Sequence, residues 1–276
     1  MTLFFTITGM MLFIGLIAYP ILLMPRMAHR PDFNVFKNYI FAHRGLHNND
    51  GLAPENSLAA FSLAVEKGYG IELDIQLSKD NIPMVFHDYT LNRVCGRKGK
   101  VCEYTCHELQ KLSLFHSKET IPTLWEVLKL VDGKVPLIIE FKIEHLDLSL
   151  CPIAMEVLLK YKGIYCIESF HPLVLRWFKK NYMEIPRGQL STDFISNKSK
   201  GNKFMYWIMS RLLLNRLGKP DFIAYEYKYA HMSSLAIVRG IYKLPTVAWT
   251  VRNQKDFEDS KPYFDTIIFD SFIPKE

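Results

Sequence analysis

The chain lacks the features that mark nucleic-acid-binding and repeat proteins. Its 276 residues contain no zinc-finger spacing, no internal repeat and no Gly/Ser-rich or low-complexity block. Charged residues make up 22% of the chain, and the formal net charge of +6 is basic without being extreme. This composition gives no specific reason to expect a nucleic-acid partner. No segment marks a second domain, so the length fits one large α/β domain.

Cysteine is too scarce and too irregularly spaced for a disulfide framework or a structural zinc site. The chain has five cysteines, an odd number, and Cys102 and Cys106 form a single CxxxC pair. A zinc site needs four ligands, and neither a second pair nor a histidine cluster supplies the others. We therefore expect reduced thiols in a cytosolic domain.

One long hydrophobic run is present, at residues 3–24, and it carries no charge. At about 1.5 Å per residue, a helix of this length spans roughly 33 Å, enough to cross a hydrocarbon core of about 30 Å. A cleavable signal peptide is disfavoured because the basic n-region and a small-residue cleavage site are missing. Positive charges follow the run instead, at Arg26, Arg30 and Lys37, which favours a cytoplasmic C-terminal side. The sequence thus predicts a transmembrane anchor (residues 1–25), a juxtamembrane linker (26–38) and a cytoplasmic domain (39–276) of a single-pass cell-membrane protein.

From residue 39 onward, short apolar runs alternate with helical patterns. Most runs are too continuously apolar for a half-exposed sheet and are typical of strands buried on both faces. Nine such runs occur, at residues 39–45, 70–77, 83–88, 135–141, 164–170, 185–191, 221–227, 246–251 and 266–270. Helices are predicted at residues 56–67, 105–112, 123–131, 149–161, 172–181 and 231–239, the first of them capped by Asn56.

The second and third runs are too close together for a parallel crossover. Five residues separate Leu77 from Pro83, whereas a crossover needs about a dozen or more. We therefore expect an antiparallel hairpin whose four-residue loop is closed by Leu77 and Ile82. Paired positions then place Glu72 opposite His87, and the hairpin arm is not counted among the parallel strands.

This register also places Asp74 opposite Val85, so that Glu72, Asp74 and His87 share one face of the hairpin. Without the hairpin arm, eight runs remain, the number that closes a (β/α)8 TIM barrel. The sequence therefore predicts a TIM barrel with a β-hairpin after its second strand. A doubly wound open sheet is the alternative architecture.

Polar side chains recur at the carboxyl ends of the predicted strands, where a barrel builds its active site. Three carboxylates, Glu72, Asp74 and Glu140, would repel each other at one mouth unless a cation lay between them. Hard oxygen ligands of this kind suit Mg²⁺ or Ca²⁺. His43 and His87 are placed to exchange protons near neutral pH.

Two cationic side chains, Arg44 and Lys142, complete the set as an anion clamp. Further polar or aromatic residues at the strand ends are Asp88, Ser169, Gln189, Glu226 and Trp249. Each residue alone has an ordinary structural explanation, and the prediction depends on their recurrence at successive strand ends. A metal, two proton-transfer groups and an anion clamp together suit hydrolysis of a phosphoester.

The chain resembles the glycerophosphodiester phosphodiesterase family. It carries an HRG motif at 43–45, a PEN motif at 54–56, an ExD pair at 72–74 and a terminal HD at 87–88, in the order and at about the spacing of that family. Shorter motifs at 140–142, 169–170, 249–250 and 266–270 extend the similarity over roughly residues 39–275. In one departure, Arg252 stands where an Asn often follows WTV, which changes the expected polarity of the substrate pocket.

The resemblance implies a (β/α)8 barrel that hydrolyses glycerophosphodiesters to a glycerol phosphate and an alcohol. By motif, Glu72, Asp74 and Glu140 would bind a divalent cation (Mg²⁺, Ca²⁺ or Mn²⁺). His43 and His87 would be the general acid and base. The remaining implied roles are a phosphate clamp of Arg44 and Lys142, phosphate contacts from Glu55 and Asn56 at the edge of the metal site, and a pocket wall at Trp249.

Residues 198–219 are basic and carry a dense apolar stripe that includes Phe204, Trp207, Ile208 and Leu212. An outer helix of the barrel would need such a stripe for packing. Neighbouring apolar residues widen the face, and Lys and Arg flank both ends, a pattern typical of a helix in a membrane interface. We expect residues 203–217 to contact the membrane and to bring the barrel mouth near lipid headgroups.

Two functional hypotheses follow. The first is a membrane-anchored, metal-dependent hydrolase of glycerophosphodiesters, with lysophospholipids as candidate substrates. The second is a catalytically silent, membrane-tethered barrel that binds lipid headgroups or a partner protein, because a fold alone does not establish activity.

Overall fold

Nine β-strands form one closed sheet in the computed structural model, which describes residue 15 and residues 17–275. The strands are β1 (Phe41–His43), β2 (Gly70–Leu77), β3 (Pro83–Val85), β4 (Leu137–Phe141), β5 (Tyr165–Ser169), β6 (Arg187–Ser191), β7 (Phe222–Glu226), β8 (Thr246–Val251) and β9 (Thr266–Phe269). β1 pairs in parallel with both β2 and β9, which closes the sheet into a ring. Eight parallel strands make up the ring, and β3 lies outside it as the antiparallel partner of β2. The predicted (β/α)8 TIM barrel with its hairpin is confirmed, and the open doubly wound sheet is excluded.

Helices surround the barrel. Within the described residues they are α1 (Asn34–Lys37), α2 (Leu58–Glu66), α3 (Asn92–Cys95), α4 (Cys106–Leu109), α5 (Leu124–Val131), α6 (Leu150–Leu158), α7 (Pro172–Asn181), α8 (Lys203–Ser210), α9 (Asn215–Gly218), α10 (Ser233–Gly240) and α11 (Gln254–Ser260). Residues 17–23 are also helical. The helix predicted at 172–181 coincides with α7, whereas the helix predicted at 105–112 is the single turn α4.

The start of α2 differs from the expected one. Ser57, not Asn56, is its N-cap, because the Ser57 hydroxyl accepts a hydrogen bond from the Ala60 backbone N–H at 3.1 Å. Asn56 lies in the left-handed region with φ +56°. Its side-chain amide is thereby turned away from the helix and donates to an Asp74 carboxylate oxygen at 3.1 Å. The residue expected to cap a helix instead orients a predicted metal ligand.

Alternate residues of the strands fill the inside of the barrel, as a side-chain period of two requires. Toward the amino ends of the strands the filling is apolar, with Phe41, Ile138 and Phe222 among a cluster of buried side chains. Toward the carboxyl ends it becomes polar. The parallel register places His43 beside Glu72, and Glu140 between Asp74 and Glu168. The closure of the sheet therefore brings the polar strand ends to one mouth.

The predicted hairpin register is wrong by one residue. Ile75, not Asp74, pairs with Val85, and Leu77 pairs with Pro83. The loop consequently has five residues, 78–82, and the Ser78 hydroxyl accepts a hydrogen bond from the Ile82 backbone N–H at 2.9 Å. Asn81 supplies the left-handed turn with φ +61°.

His87 reaches the mouth in spite of the changed register. The strand β3 ends at Val85, so His87 lies beyond the ladder and does not pair with Glu72 across it. The chain turns after β3 and places His87 in the same pocket lining as Glu72. The convergence of these side chains was predicted correctly, but for a different geometric reason.

The predicted anchor falls largely on residues 1–14 and 16, which lie outside those described. Over the described part of the chain, no helix has the length and apolar character needed to span a membrane. Where the segment meets the barrel, Leu23 is fully buried in a cluster with Leu212. The Tyr242 hydroxyl donates a hydrogen bond to the Pro20 carbonyl at 2.7 Å.

Residues 26–38, expected to be a linker, pack across the amino-terminal end of the barrel. The Arg26 backbone N–H donates to the Pro220 carbonyl at 3.2 Å, ahead of β7. The Phe33 ring packs on Phe222, with ring centroids 4.7 Å apart, and Lys37 pairs with Asp265 at 2.8 Å. These contacts fix the segment at the end of the barrel opposite the carboxylate cluster.

The segment 203–217 is not one continuous amphipathic helix. It consists of α8 and α9 with a break between them, where Leu212 has φ +57°. Leu212 belongs to the stripe expected to contact the membrane, but its side chain is 1% exposed and packs in the core. Phe204 and Trp207 do face outward, with 68% and 41% of their surface exposed.

Candidate active site

A pocket of about 260 Å³ opens at the carboxyl ends of the barrel strands. One part of its lining contains five of the predicted positions, His43, Arg44, Glu72, His87 and Glu140, together with Glu168. The rest of the lining consists of Phe170, Leu190, Asn197, Glu226, Tyr227, Lys228, Trp249, Thr250, Arg252 and Ile268. The pocket lining is therefore charged in one part and partly aromatic in the other.

Three buried carboxylates meet in the charged half. Glu72, Asp74 and Glu140 each bring one oxygen within 4.8 Å of the others, and each is at most 7% exposed. Burial, together with the charge of Asp74, raises the pKa of Glu72 well above its usual range. Burial also raises the pKa of Glu140. Such a group is costly without a compensating cation.

Two protein cations compensate part of this charge. The Lys142 ammonium lies 3.1 Å from Glu140 and 3.6 Å from Asp74. The Arg44 guanidinium lies 3.4 Å from Asp74. Three buried carboxylates therefore share two protein cations.

The donor set therefore fits a divalent cation. Hard carboxylate oxygens in partly open geometry are the ligands that Mg²⁺, Ca²⁺ and Mn²⁺ take. In addition, the Asn56 side-chain oxygen is buried beside the cluster without a hydrogen-bond partner in residues 17–275. Glu72, Asp74 and Glu140 are thus brought together as predicted, with Asn56 as a neighbour that orients Asp74.

His43 is held by an aspartate from the last strand end. Its Nδ1 lies 3.3 Å from Asp270, and its Nε2 faces Glu72 at 3.9 Å. Burial and the adjacent Arg44 charge lower the pKa of His43 to about 4. The imidazole is thus neutral near pH 7, and its fixed Nδ1 leaves Nε2 directed into the pocket.

The Asp270 carboxylate also lies 3.1 Å from His47 and 3.3 Å from Arg252. His43, His47 and Asp270 bring their ligand atoms within 4.8 Å of each other. Because Arg252 shares the carboxylate, this group is a cluster of balanced charges and not a second excess of negative charge.

His87 has an aspartate partner of its own. Its Nδ1 lies 2.6 Å from Asp88, and Asp88 also accepts a hydrogen bond from Arg93 at 2.7 Å. Arg93 in turn binds Glu55, which accepts a hydrogen bond from Arg44 at 2.7 Å. A continuous chain of ion pairs therefore joins the predicted phosphate clamp to the second histidine.

The HRG backbone has a conformation that its residue types explain. Gly45 has φ +83°, and a Cβ at this position would lie 2.9 Å from Ala60. Arg44 is itself in the left-handed region with φ +55°, and its backbone N–H donates to Glu72 at 3.1 Å. This strained turn directs both the main chain and the side chain of Arg44 toward the carboxylates.

The other predicted positions divide into three groups. Ser169 and Gln189 are engaged with main-chain carbonyls: the Ser169 hydroxyl donates to Phe141, and the Gln189 amide donates to Phe170. Trp249 and Glu226 line the pocket, whereas Glu55 and Asn56 lie behind it and contact Arg44 and Asp74.

Four residues of the site were not singled out from the sequence: His47, Arg93, Glu168 and Asp270. Asp270 ends the strand-like run "TIIFD", so its position at a strand end was a usable signal. Glu168 precedes Ser169 in the run "IYCIESF", and the choice between them depended on which residue faces inward. His47 and Arg93 lie outside strands, where the sequence pattern gives no such signal.

Comparison with known proteins agrees with this geometry. Residues 43–271 match the sequence model of the Glycerophosphoryl diester phosphodiesterase family. YhdW of Bacillus subtilis (strain 168) is 32% identical over 228 residues, which cover 79% of this chain and 87% of that protein. A glycerophosphodiester phosphodiesterase of Caldanaerobacter subterraneus is 39% identical over 157 residues, or 52% of this chain and 63% of that protein.

Solved structures show the same barrel. A phosphodiesterase of Oleispira antarctica, in complex with its product sn-glycerol-3-phosphate, superposes with a TM-score of 0.66 at 24% identity and covers 84% of this chain and 92% of that one. A glycerophosphodiester phosphodiesterase of Thermotoga maritima gives 0.64 at 24% identity, with coverage of 84% and 94%. Because the family model spans residues 43–271, from the end of β1 to beyond β9, the chain belongs to the glycerophosphoryl diester phosphodiesterase family and is a phosphodiesterase.

Proposed function

We propose that the protein hydrolyses glycerophosphodiesters to a glycerol phosphate and an alcohol, and that the reaction requires a divalent cation. One observation carries the proposal: two histidines, each held by an aspartate, face the same pocket as three converging carboxylates. A barrel that only binds headgroups has no need of paired proton-transfer groups.

The phosphodiester would be held by the cations of the site. Arg44 and Lys142 both lie close to Asp74. The Arg44 guanidinium and the Lys142 ammonium are suited to bind the two non-bridging oxygens of a phosphodiester. Glu72, Asp74 and Glu140 would hold the metal, which when bound supplies polarisation of the phosphoryl oxygens. Glu55 and Asn56 keep Arg44 and Asp74 in place.

The two histidines would move the protons. One removes a proton from the attacking water, and the other donates a proton to the leaving alcohol oxygen. Asp270 and Asp88 each occupy an Nδ1 atom, so each histidine presents Nε2 to the substrate. The neutral state of His43 suits it to accept the first proton.

Removal of divalent cations tests the metal requirement. We expect purified protein treated with EDTA to lose activity on glycerophosphocholine, and Mg²⁺, Ca²⁺ or Mn²⁺ to restore it. Glu72→Gln should weaken the response to added metal, whereas Glu156→Gln, an exposed helix position, should not. Full activity in EDTA would contradict the proposed metal centre.

We further propose that the enzyme acts at a membrane surface. The apolar run 3–24 supports an anchor, and the exposed side of α8 supports a second contact on the same flank. Tyr19 and Leu23 pack in one cluster with Leu212 and Leu213, which follow α8. Phe204 and Trp207 stack with ring centroids 6.4 Å apart, and Arg211 lies 4.9 Å from the Trp207 ring. Exposed aromatics beside basic residues are typical of interfacial helices.

An aromatic series supports membrane-resident substrates such as lysophospholipids. Trp249 contacts Phe170 in the pocket, with ring centroids 5.6 Å apart. Phe170 contacts Phe194 at 5.9 Å, and Phe194 stacks on Tyr206 of α8 at 5.0 Å. The series leads from the pocket to the half-buried Tyr206 of α8, next to the exposed Trp207, so an acyl chain could leave the bilayer along apolar surface.

A cytoplasmic location of the barrel remains the orientation that we propose. The charges after the apolar run support it, although they also serve the fold. Arg26 lies 3.6 Å from Asp221, and Lys37 pairs with Asp265. Labelling of introduced surface cysteines in intact cells would decide the orientation.

A further inference from the structure

Glu168 is a buried carboxyl group at the pocket, and the proposed hydrolytic mechanism gives it no role. It lies on β5 and faces into the barrel, with 1% of its surface exposed. Its Oε2 atom has no hydrogen-bond partner among the side chains and main chain that the structure describes. The residue lines the pocket beside Phe170 and Leu190. A buried carboxyl oxygen without a partner is costly, so it is expected to meet a donor from a ligand.

The position of Glu168 sets it apart from the metal ligands. Its Cα is paired with that of Glu140 on one side and with that of Gly188 on the other. In the described chain, Glu72, Asp74 and Glu140 form the group of three carboxylates whose oxygens all lie within 4.8 Å of one another, and Glu168 does not belong to this group. It therefore lies on the strand next to that of Glu140, on the side of Phe170 and Leu190.

We propose that Glu168 binds a hydroxyl group of the glycerol arm of the substrate and so selects for glycerol. This inference rests on the proposed function, which places the phosphate at Arg44, Lys142 and the metal ligands. The two hydroxyl-bearing carbons of the glycerol arm lie two and three bonds from the phosphate ester oxygen, so their hydroxyl groups stay inside the pocket that Glu168 lines. A hydroxyl donor suits the free Oε2 in either protonation state of Glu168, because one oxygen can accept in both.

Ligand binding tests the proposal without turnover. Calorimetric titration in the presence of Mg²⁺ would compare sn-glycerol-3-phosphate with n-propyl phosphate, which has the same phosphate and chain length but lacks both hydroxyls. We expect wild-type protein to bind the glycerol compound about tenfold more tightly, which is near the upper end of what one buried hydrogen bond contributes. Glu168→Met should remove most of this preference, and Glu168→Gln, which keeps an acceptor, should retain it.

Turnover separates this role from the alternatives. Glu168→Met should reduce kcat/KM for glycerophosphocholine by about 10–100-fold and leave n-propyl phosphocholine nearly unaffected. It should also leave the concentration of Mg²⁺ that half-activates the enzyme unchanged.

Equal losses on both diesters, or a wild-type protein that binds both phosphates equally, would overturn the proposal. A large shift in the Mg²⁺ requirement would make Glu168 a metal ligand instead. If wild-type protein binds glycerol phosphate selectively, Glu168→Met loses this preference and neither protein hydrolyses a diester, the proposed function fails and the assignment of Glu168 stands.

Discussion

Individual side chains at the mouth act through partners that are distant in the sequence. Asp270 is the clearest case, because it joins His43, His47 and Arg252 across the closure of the barrel between β9 and β1. It does not line the pocket, so its contribution is to position His43 and not to touch the substrate.

Replacement of Asp270 by Asn tests this positioning. The amide keeps the shape of the side chain but can donate a hydrogen bond to Nδ1 of His43. This favours the tautomer with its proton on Nε2, in which Nε2 cannot accept a proton. We expect kcat to fall by about 10²-fold or more while KM changes little, as measured with glycerophosphocholine.

Asp265→Asn is the matched control, because Asp265 precedes the same strand and pairs with Lys37 at the opposite end of the barrel. A rise in KM with unchanged kcat in Asp270→Asn would assign Asp270 to substrate binding instead.

Glu55 provides a stability prediction with a defined pH range. Although burial alone would raise its pKa, the hydrogen bonds from Arg93 and the charge of Arg44 lower it to about 2. Because the folded-state pKa lies below the unfolded-state value of 4.5, the ionised Glu55 stabilises the fold at pH values above 4.5. This stabilisation is lost as the pH falls toward 2. The difference of about 2.5 pKa units corresponds to about 3 kcal/mol.

We therefore expect Glu55→Gln to lower the free energy of unfolding at pH 7, as measured by urea denaturation. The gap between variant and wild type should shrink from pH 5 to pH 3. The exposed Glu156→Gln variant serves as control and should show a small and constant difference. A Glu55→Gln gap that is independent of pH would show that the ion pairs with Arg44 and Arg93 do not stabilise the fold.

The sequence predicted most of the residues at the mouth because their types are unusual for buried strand ends. Glu72, Asp74 and Glu140 stand in apolar runs, and their chemistry requires a partner. Asp270 and Glu168 were missed for different reasons. Two partners of Asp270, His43 and His47, lie more than two hundred residues away, and the inward direction of Glu168 depends on strand register.

At the scale of secondary structure elements, continuous apolar character located the strands well. The predicted runs at 70–77 and 246–251 coincide with β2 and β8. The hairpin register failed because it depends on the turn, where the Ser78 hydroxyl and the left-handed Asn81 add one residue to the loop. A strand pattern carries no information on such side-chain hydrogen bonds within a loop.

The segment after β6 shows a similar limit. Its apolar residues predicted one continuous face, but the break at Leu212 divides them between the core and the surface. Packing of Leu212 with Leu23 could not be read from a helical pattern, because it depends on where the N-terminal segment meets the barrel.

The exposed face of α8 gives a prediction at this scale. The double variant Phe204→Ser with Trp207→Ser removes apolar surface worth roughly 1.5–3 kcal/mol per side chain when buried in lipid. We expect its activity on lysophospholipid in vesicles to fall about tenfold or more, and its activity on glycerophosphocholine to stay near that of wild type.

Leu159→Ser is the matched control for α8, because Leu159 is also exposed, by 63%, but lies after α6. Parallel losses of the α8 variant on both substrates would show that the face supports the barrel and not a membrane contact.

At the scale of the whole molecule, closure of the barrel is what creates the site. His43 ends β1, Glu72 and Asp74 lie on β2, Glu140 lies on β4, and Asp270 follows β9. None of these strands has more than two of the groups, and the parallel register brings them to one end. The N-terminal segment seals the other end through Phe33 and Phe36. The count of eight parallel strands therefore predicted both the fold and the place of the chemistry.

The central claim is that this mouth hydrolyses glycerophosphodiesters with His43 and His87 as proton-transfer groups. The most direct measurement is ³¹P NMR of glycerophosphocholine incubated with purified protein and Mg²⁺, Ca²⁺ or Mn²⁺. The wild-type protein should form glycerol phosphate, and His43→Ala and His87→Ala should each reduce the rate by about 10²–10⁴-fold. No glycerol phosphate with any of the three cations, or near-normal rates in both variants, would contradict the account.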